Sequence, residues 1–210
     1  MILALDTTTK NFSIAIKDEK TGVIKEIFIP NSEFTHSEII IKNFDTLLKK
    51  TKSSIKEIKK IICTSGPGSW TGIRVGLSFA RTLAQILKIP IISVSTLDLL
   101  AYKKLLKIKN KCLICATIPA NQDEFHIAIY ECIDRKIKRI SEYTSLNKNE
   151  IPDFLNKHIK KKFKIFFASE MNFSAKDLFH FSNKRAKHFS KITPLYIKLP
   201  KIHKDGTKNK

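Results

Sequence analysis

Residues 66–76 read Gly-Pro-Gly-Ser-Trp-Thr-Gly-Ile-Arg-Val-Gly, and no other stretch of this 210-residue chain has as much capacity for chemistry. A glycine-rich loop that opens a helix can turn backbone N–H groups toward an anion, at the positive end of the helix dipole. Two familiar phosphate loops do not fit Gly66, Gly68, Ser69 and Thr71. A Walker loop requires Lys-Ser/Thr after its last glycine, and here Gly72 is followed by Ile73 and Arg74. A dinucleotide fingerprint needs its third glycine where this chain has Thr71. Asp6, followed by Thr7 and Thr8, has two readings: it could hold a magnesium-bound water, or it could cap a turn, the ordinary use of aspartate there. His36, Ser37 and Glu38, with Thr71, have the side chains for acid–base chemistry. However, Thr35-His-Ser-Glu38 is also a capping box, which gives Glu38 a structural use. Cys112-Leu-Ile-Cys115 has zinc-like spacing without a second pair. On a strand, that odd separation sends the two thiols to opposite faces, so buried free thiols are expected. The six histidines form no i, i+4 pair. No catalytic residue and no metal-ligand set is assigned.

These residues have to be positioned by an α/β framework. Ile2–Leu5, Phe12–Ile16 and Val23–Ile29 read as three strands separated by polar turns. A helix from His36 to Lys50 follows, with Ile40, Phe44, Leu47 and Leu48 on one apolar face. Lys59–Thr64 reads as a buried strand, Gly72–Lys88 as a helix, Ile91–Val94 as a strand, and a helix capped by Ser95 or Thr96 reaches about Leu106. Three further strands are predicted at Cys112–Ile118, Phe125–Glu131 and Lys136–Tyr143. A helix over Asn147–His158 and a strand over Phe163–Ala168 complete the pattern, while 169–190 has aromatic residues but weak periodicity. The sequence thus divides into a lobe at 1–106, a lobe at 107–200 and a basic tail at 201–210.

On the helix after the glycine loop, Gly72, Gly76, Ala80 and Ala84 lie four apart and build a ridge of small side chains. A second helix can approach closely along such a ridge. Leu77, Phe79, Leu83, Ile86 and Leu87 are spread around the rest, more apolar surface than one covered face needs. Two readings follow: a helix buried within its own lobe, or one that docks on a partner's helices. Arg74 and Arg81, seven apart, share a face and could clamp a partner's carboxylates.

The formal charge of +20 is large, and a field of that sign attracts nucleic acid or an acidic protein. Only five of the 39 basic residues are arginine, so a lysine-rich codon bias competes with selection for RNA binding. The hydrophobic fraction of 42% and mean hydropathy of -0.15 suit a soluble globular protein, and no apolar run is long enough for a membrane span. The first residues read as a strand and not as a secretory signal, so a cytoplasmic location is expected.

The loop and helix closely resemble the signature of the TsaB family, Gly-Pro-Gly-Ser-Phe-Thr-Gly followed by Leu/Ile-Arg-Ile/Val-Gly-Leu, with Trp70 in place of Phe. Asp6-Thr-Thr-Thr stands for the family's Asp-Thr-Ser, His36-Ser-Glu38 for its His-Ser-Glu, Val94-Ser-Thr-Leu-Asp98 for its Val-Ser-Thr-Leu-Glu, and Pro194-Leu-Tyr196-Ile for its Pro-x-Tyr-Leu-Arg. The likeness is strong over residues 1–105 and weak from 106 to 190.

The resemblance implies a two-lobed α/β fold similar to the actin, sugar-kinase and Hsp70 superfamily, each lobe a mixed sheet with flanking helices. It implies a non-catalytic subunit of the complex that adds threonylcarbamoyl to adenosine in tRNA. Partners would be a TsaD-like transferase, a TsaE-like ATPase and, indirectly or weakly, tRNA, with a homodimer open to the isolated chain. The partner contacts would come from His36, Glu38, Ile40, Phe44, Gly72, Arg74, Gly76, Leu77, Ala80, Arg81 and Ala84, while ATP and metal would sit on the partners. The transferase's metal-binding His-x-x-x-His falls here on Thr96 and Leu100, neither of which replaces histidine as a ligand. The second phosphate hairpin of the superfamily falls on Ile118–Glu124, which contains no glycine. The main alternative is a small kinase or ATPase of that superfamily acting alone; a zinc peptidase and a stand-alone RNA-binding module are weaker rivals.

Overall fold

The computed structural model describes residues 1–32, 35–159, 163–169 and 173–198. The expected tail at 201–210 lies outside the described residues. β1 (Ile2–Asp6), β2 (Phe12–Lys17) and β3 (Ile24–Ile29) form an antiparallel meander. β4 (Lys60–Thr64) and β5 (Ile91–Val94) extend it in parallel beyond β1, giving the order β3-β2-β1-β4-β5. The sheet is covered on both faces. Leu3, Leu5, Ile14 and Ile61 pack under α1 (His36–Thr51) and α2 (Trp70–Leu87). Ile2, Ala4, Ala15 and Ile62 pack against α3 (Thr96–Leu105) and a 3-10 segment at Ala175–Phe181. Double coverage is why β1 and β4 read as continuous apolar runs and not as alternating ones.

The second sheet has β6 (Cys112–Pro119) at its centre, β10 (Ile165–Ala168) parallel to it on one side and β7 (Glu124–Ile133) antiparallel on the other. The expected strand Lys136–Tyr143 stops at Arg139, and a further strand that the sequence pattern did not give follows at Thr144–Asn147. β8 (Lys136–Arg139) pairs with Tyr130–Ile133, and β9 (Thr144–Asn147) pairs with Glu124–Ile127, so both lie along one edge of β7. Ser141 makes the break: its Oγ accepts the Ile129 N–H at 2.9 Å, replacing a ladder carbonyl. A short helix α4 (Ile151–His158) precedes β10, shorter at its start than the sequence pattern suggested.

The two sheets share one core. Val94, Leu97, Leu100, Ile114, Tyr130, Leu178 and Phe181 belong to a single buried cluster, with α3 as its middle layer. In this sheet order the carboxyl ends of β1, β4 and β5 lie together, which brings Asp6, Thr64 and Val94 to one rim. Open α/β sheets place their sites at such a rim. Among the described residues no helix is long and apolar enough to cross a membrane.

Candidate functional site

At that rim the Asp6–Thr9 turn and the 66–76 loop are fitted into one another. Thr7 Oγ1 donates to the Gly72 carbonyl at 2.7 Å, and the Ser69 N–H donates to the Thr8 carbonyl at 2.8 Å. A Cβ placed on Gly68 would collide with the Thr8 carbonyl, one on Gly72 with the Thr7 carbonyl, and one on Gly76 with Thr7 Oγ1. The glycines therefore admit the chain's own threonine turn. Three of the loop's N–H groups are engaged within the protein: Ser69 at the Thr8 carbonyl, Gly72 at Ser69 Oγ (3.1 Å) and Ile73 at the Ser69 carbonyl (2.8 Å). Ser69 is the N-cap of α2, which starts two residues earlier than the expected Gly72 because a serine hydroxyl closes its first turn.

Asp6 serves the turn. Its Oδ1 accepts from Thr8 Oγ1 at 2.7 Å, from Thr64 Oγ1 at 2.6 Å and from the Thr8 N–H at 3.3 Å, which ties β1 to β4. Oδ2 is buried with no hydrogen-bond partner among the described residues. Burial pushes the Asp6 carboxyl above its ordinary value, against the opposing pull of the Thr64 and Thr8 hydrogen bonds.

His36 joins the same knot, with Nδ1 3.1 Å from the Thr7 carbonyl. Glu38 is committed to the helix cap, its Oε2 accepting the Thr35 N–H at 2.9 Å. A recess of about 360 Å³ lies beside them, lined by Thr9, Lys10, His36, Ser69 and Thr71 among others. The structure thus brings His36, Ser69 and Thr71 together.

The other elements that relatives could use for chemistry are also occupied. Thr96 and Leu100 are buried; Thr96 Oγ1 donates to Thr8 Oγ1 at 3.4 Å, and Leu100 belongs to the shared core. The turn of lobe two is closed by Asn121, whose Oδ1 accepts the Glu124 N–H at 3.1 Å and whose Nδ2 donates to Glu124 Oε2 at 2.9 Å. Cys112 faces Cys132 across β6 and β7 inside the shared core. Burial pushes the Cys115 and Cys63 thiols up to about 12. All four cysteines are free and buried.

One functional association was not legible in sequence. The Leu195 N–H donates to the Ser65 carbonyl at 2.8 Å, which seats the last segment on the start of the glycine loop. Tyr196 then stacks on Trp70 with ring centroids 3.9 Å apart, and Arg74 lies 4.4 Å over the same indole while its Nε donates to Tyr196 Oη at 3.1 Å.

The expected docking ridge needs correction. Gly72, Gly76, Ala80 and Ala84 are buried, as are Leu77, Ile40 and Phe44. The small residues let α2 descend onto the chain's own sheet and threonine turn, and the two apolar faces close on each other, with the Phe44 and Phe79 rings edge to face at 5.3 Å. Of the predicted contacts, Glu38, Arg74 and Arg81 are exposed and His36 is half-buried. The outward faces of the two helices carry other apolar groups: Ile41 is 68% exposed and Ile86 69%.

Two mixed sheets flanked by helices and an interlocked rim define an α/β protein whose glycine loop is filled by its own threonine turn. Residues 13–205 match the family model described as TsaD, tRNA N6-adenosine threonylcarbamoyltransferase. The protein named tRNA threonylcarbamoyladenosine biosynthesis protein TsaB in Buchnera aphidicola subsp. Acyrthosiphon pisum is 34% identical over 164 residues, 77% of this chain and 72% of that protein. The Bacillus subtilis protein of the same name is 40% identical over 100 residues, 48% of this chain and 43% of that protein, so the match spans less than half of its length. A structure titled YeaZ from Pseudomonas aeruginosa superposes with a TM-score of 0.73 at 20% identity, covering 93% of this chain and 98% of that one, which speaks to the fold. The chain belongs to the TsaB (YeaZ-like) family. These names support a subunit of tRNA modification and not a stand-alone kinase or ATPase.

Proposed function

We propose that this chain is a non-transferring, cytoplasmic subunit of the assembly that forms N6-threonylcarbamoyladenosine in tRNA, held to a TsaD-like transferase by the exposed faces of α1 and α2. The observation that carries the reading is the insertion of Thr7 and Thr8 between Gly68, Gly72 and Gly76. Phosphoryl and acyl-adenylate chemistry needs backbone donors and metal ligands free to face the substrate. Here the loop is closed against the chain's own threonine turn, and the transferase's metal positions carry Thr96 and Leu100. ATP and metal then belong to the partners, the transferase and a TsaE-like ATPase.

The docking role draws support from Ile41 and Ile86, large apolar side chains held in solvent on neighbouring helices. Without the transferase, the same faces offer a route to a homodimer. Reconstitution tests the proposal. The transferase with this chain modifies tRNA, and the transferase alone does so at a small fraction of that rate. Full activity from the transferase alone ends the scaffold role, and tight ATP–magnesium binding by the isolated chain in calorimetry ends the filled-loop argument.

A further inference from the structure

The segment from Lys184 to Lys191 crosses the open edge of the first sheet. The Lys187 N–H donates to the Ile91 carbonyl at 2.8 Å and the Ile91 N–H to the Lys187 carbonyl at 3.0 Å, so the strap is fastened to β5 by its backbone. An edge strand needs cover, which accounts for the strap's path. Cover does not account for its side chains. Lys184, Lys187 and Lys191 line one recess of about 330 Å³ with the hydroxyl residues Ser65, Ser93 and Ser95. The recess opens at the N-terminus of α3, where Ser95 is the cap.

Asp98 is the acid in the recess, and it is already saturated. Its Oδ1 accepts from Tyr143 Oη at 2.7 Å and Tyr130 Oη at 2.9 Å, and its Oδ2 takes Lys184 Nζ at 2.9 Å. Lys187 and Lys191 are exposed and form no ion pair among the described residues. The surrounding sequence is depleted of acid: residues 178–210 hold nine lysines and arginines and one aspartate, Asp205. Like charges crowded around a fixed, hydroxyl-lined recess repel one another, and a polyanion seated there removes that cost. The Arg139 guanidinium, 3.8 Å over the Tyr143 ring on the lobe-two side, is paired with Glu142 at 3.5 Å, so the free charge of the rim is that of Lys187 and Lys191.

We infer that this recess and the 184–191 strap form a contact site for the phosphodiester backbone of RNA, and, given the function proposed above, of the tRNA being modified. The identification of tRNA rests on that function; the anion site itself does not. Lysine is suited to this use, because it binds phosphate as a point charge and positions a backbone without reading bases.

The test uses the full chain, an unmodified tRNA transcript and the variant Lys187→Gln/Lys191→Gln. Lys20→Gln/Lys25→Gln is the control: it removes the same charge at the β2–β3 end, across a sheet in which β3 and β5 are about 19 Å apart. The strap variant is expected to weaken tRNA binding about tenfold or more at moderate salt, and to flatten the dependence of log affinity on log salt by about two. The control leaves the slope near that of the unmodified chain. Equal slopes for both variants overturn the inference, and so does abolition of tRNA binding by millimolar inorganic phosphate, which would mark a small-anion pocket. Co-purification with the transferase is measured in parallel. Retained capture with unaltered tRNA binding sinks only the RNA site, while lost capture with unaltered tRNA binding makes the strap a protein contact.

Discussion

Thr7 and Gly76 meet with no space for one more carbon: a methyl group on Gly76 would overlap the Thr7 hydroxyl that donates to Gly72. The contact joins the turn after β1 to the second turn of α2, across 69 residues of sequence. Gly76→Ala therefore sets two effects in opposition. Alanine gains about 1 kcal/mol of helix propensity over glycine. Overpacking against a turn held by its own hydrogen bonds costs about 1–3 kcal/mol. The clash outweighs the propensity gain, because the obstacle is a buried side chain fastened at both ends. A lower urea midpoint with unchanged slope is expected; a midpoint at or above that of the unmodified chain would show that the turn yields freely.

Asp6 links stability to pH. Burial raises its folded-state value above the 3.8 of an unfolded chain, so the folded protein binds this proton more tightly. The contribution of protonated Asp6 is fully present below about 3.8 and is lost as pH rises through the folded-state value. Asp6→Asn removes that dependence and keeps an acceptor for the two threonine hydroxyls. Relative to the unmodified chain, the variant gains stability as pH is raised from about 4 to 7, read as the difference between paired urea titrations. A difference that is flat in pH, or that moves the opposite way, contradicts the raised value.

Trp70 is the chain's one tryptophan, so its fluorescence reports the seat of the C-terminal segment directly. Tyr196→Ala removes the stacked ring and the acceptor of Arg74, and is expected to shift Trp70 emission to the red with a loss of about 1–2 kcal/mol. Tyr196→Phe keeps the stack and loses only the Arg74 hydrogen bond, about 0.5–1.5 kcal/mol, with little change in emission. If the alanine variant emits as the unmodified chain does, the segment does not rest on Trp70 in solution.

The order of elements in the first lobe was legible because its strands and helices have strong periods and sharp caps. The capping box at Thr35 and Glu38 stands as read, and of the two caps open for α3, Ser95 and Thr96, the structure takes Ser95. What misled was the ridge of Gly72, Gly76, Ala80 and Ala84. Small residues four apart signal a close approach, but they do not say whether the approaching group is a partner or the chain's own turn. In lobe two, Ser141 interrupts a strand through a side-chain hydrogen bond that no propensity encodes. Phe179 and Phe181 gave weak periodicity because they lie on a 3-10 segment, Ala175–Phe181, which repeats every three residues and packs in the core against the sheet. The Trp70–Tyr196 stack depends on two residues 126 positions apart and leaves no local trace.

Moving the predicted docking residues from the ridge to the outer faces changes which substitutions separate assembly from folding. Ile41 and Ile86 are largely in water, so Ile41→Glu/Ile86→Glu is expected to alter stability by no more than about 0.5 kcal/mol per site. Apolar anchors at an interface cost about 2 kcal/mol or more each when replaced by a charge, which weakens transferase capture at least about thirtyfold. Ala80→Leu has the opposite signature. Ala80 is fully buried on the inner face of α2, so the larger side chain costs about 1–3 kcal/mol of folding free energy and affects capture only through unfolding. Titrating the transferase against each variant, with thermal melts in parallel, distinguishes the two surfaces. Capture that survives the glutamate pair in a stably folded chain removes the outer faces of α1 and α2 from the interface and returns the search to Arg74, Arg81 and the Trp70–Tyr196 end of α2.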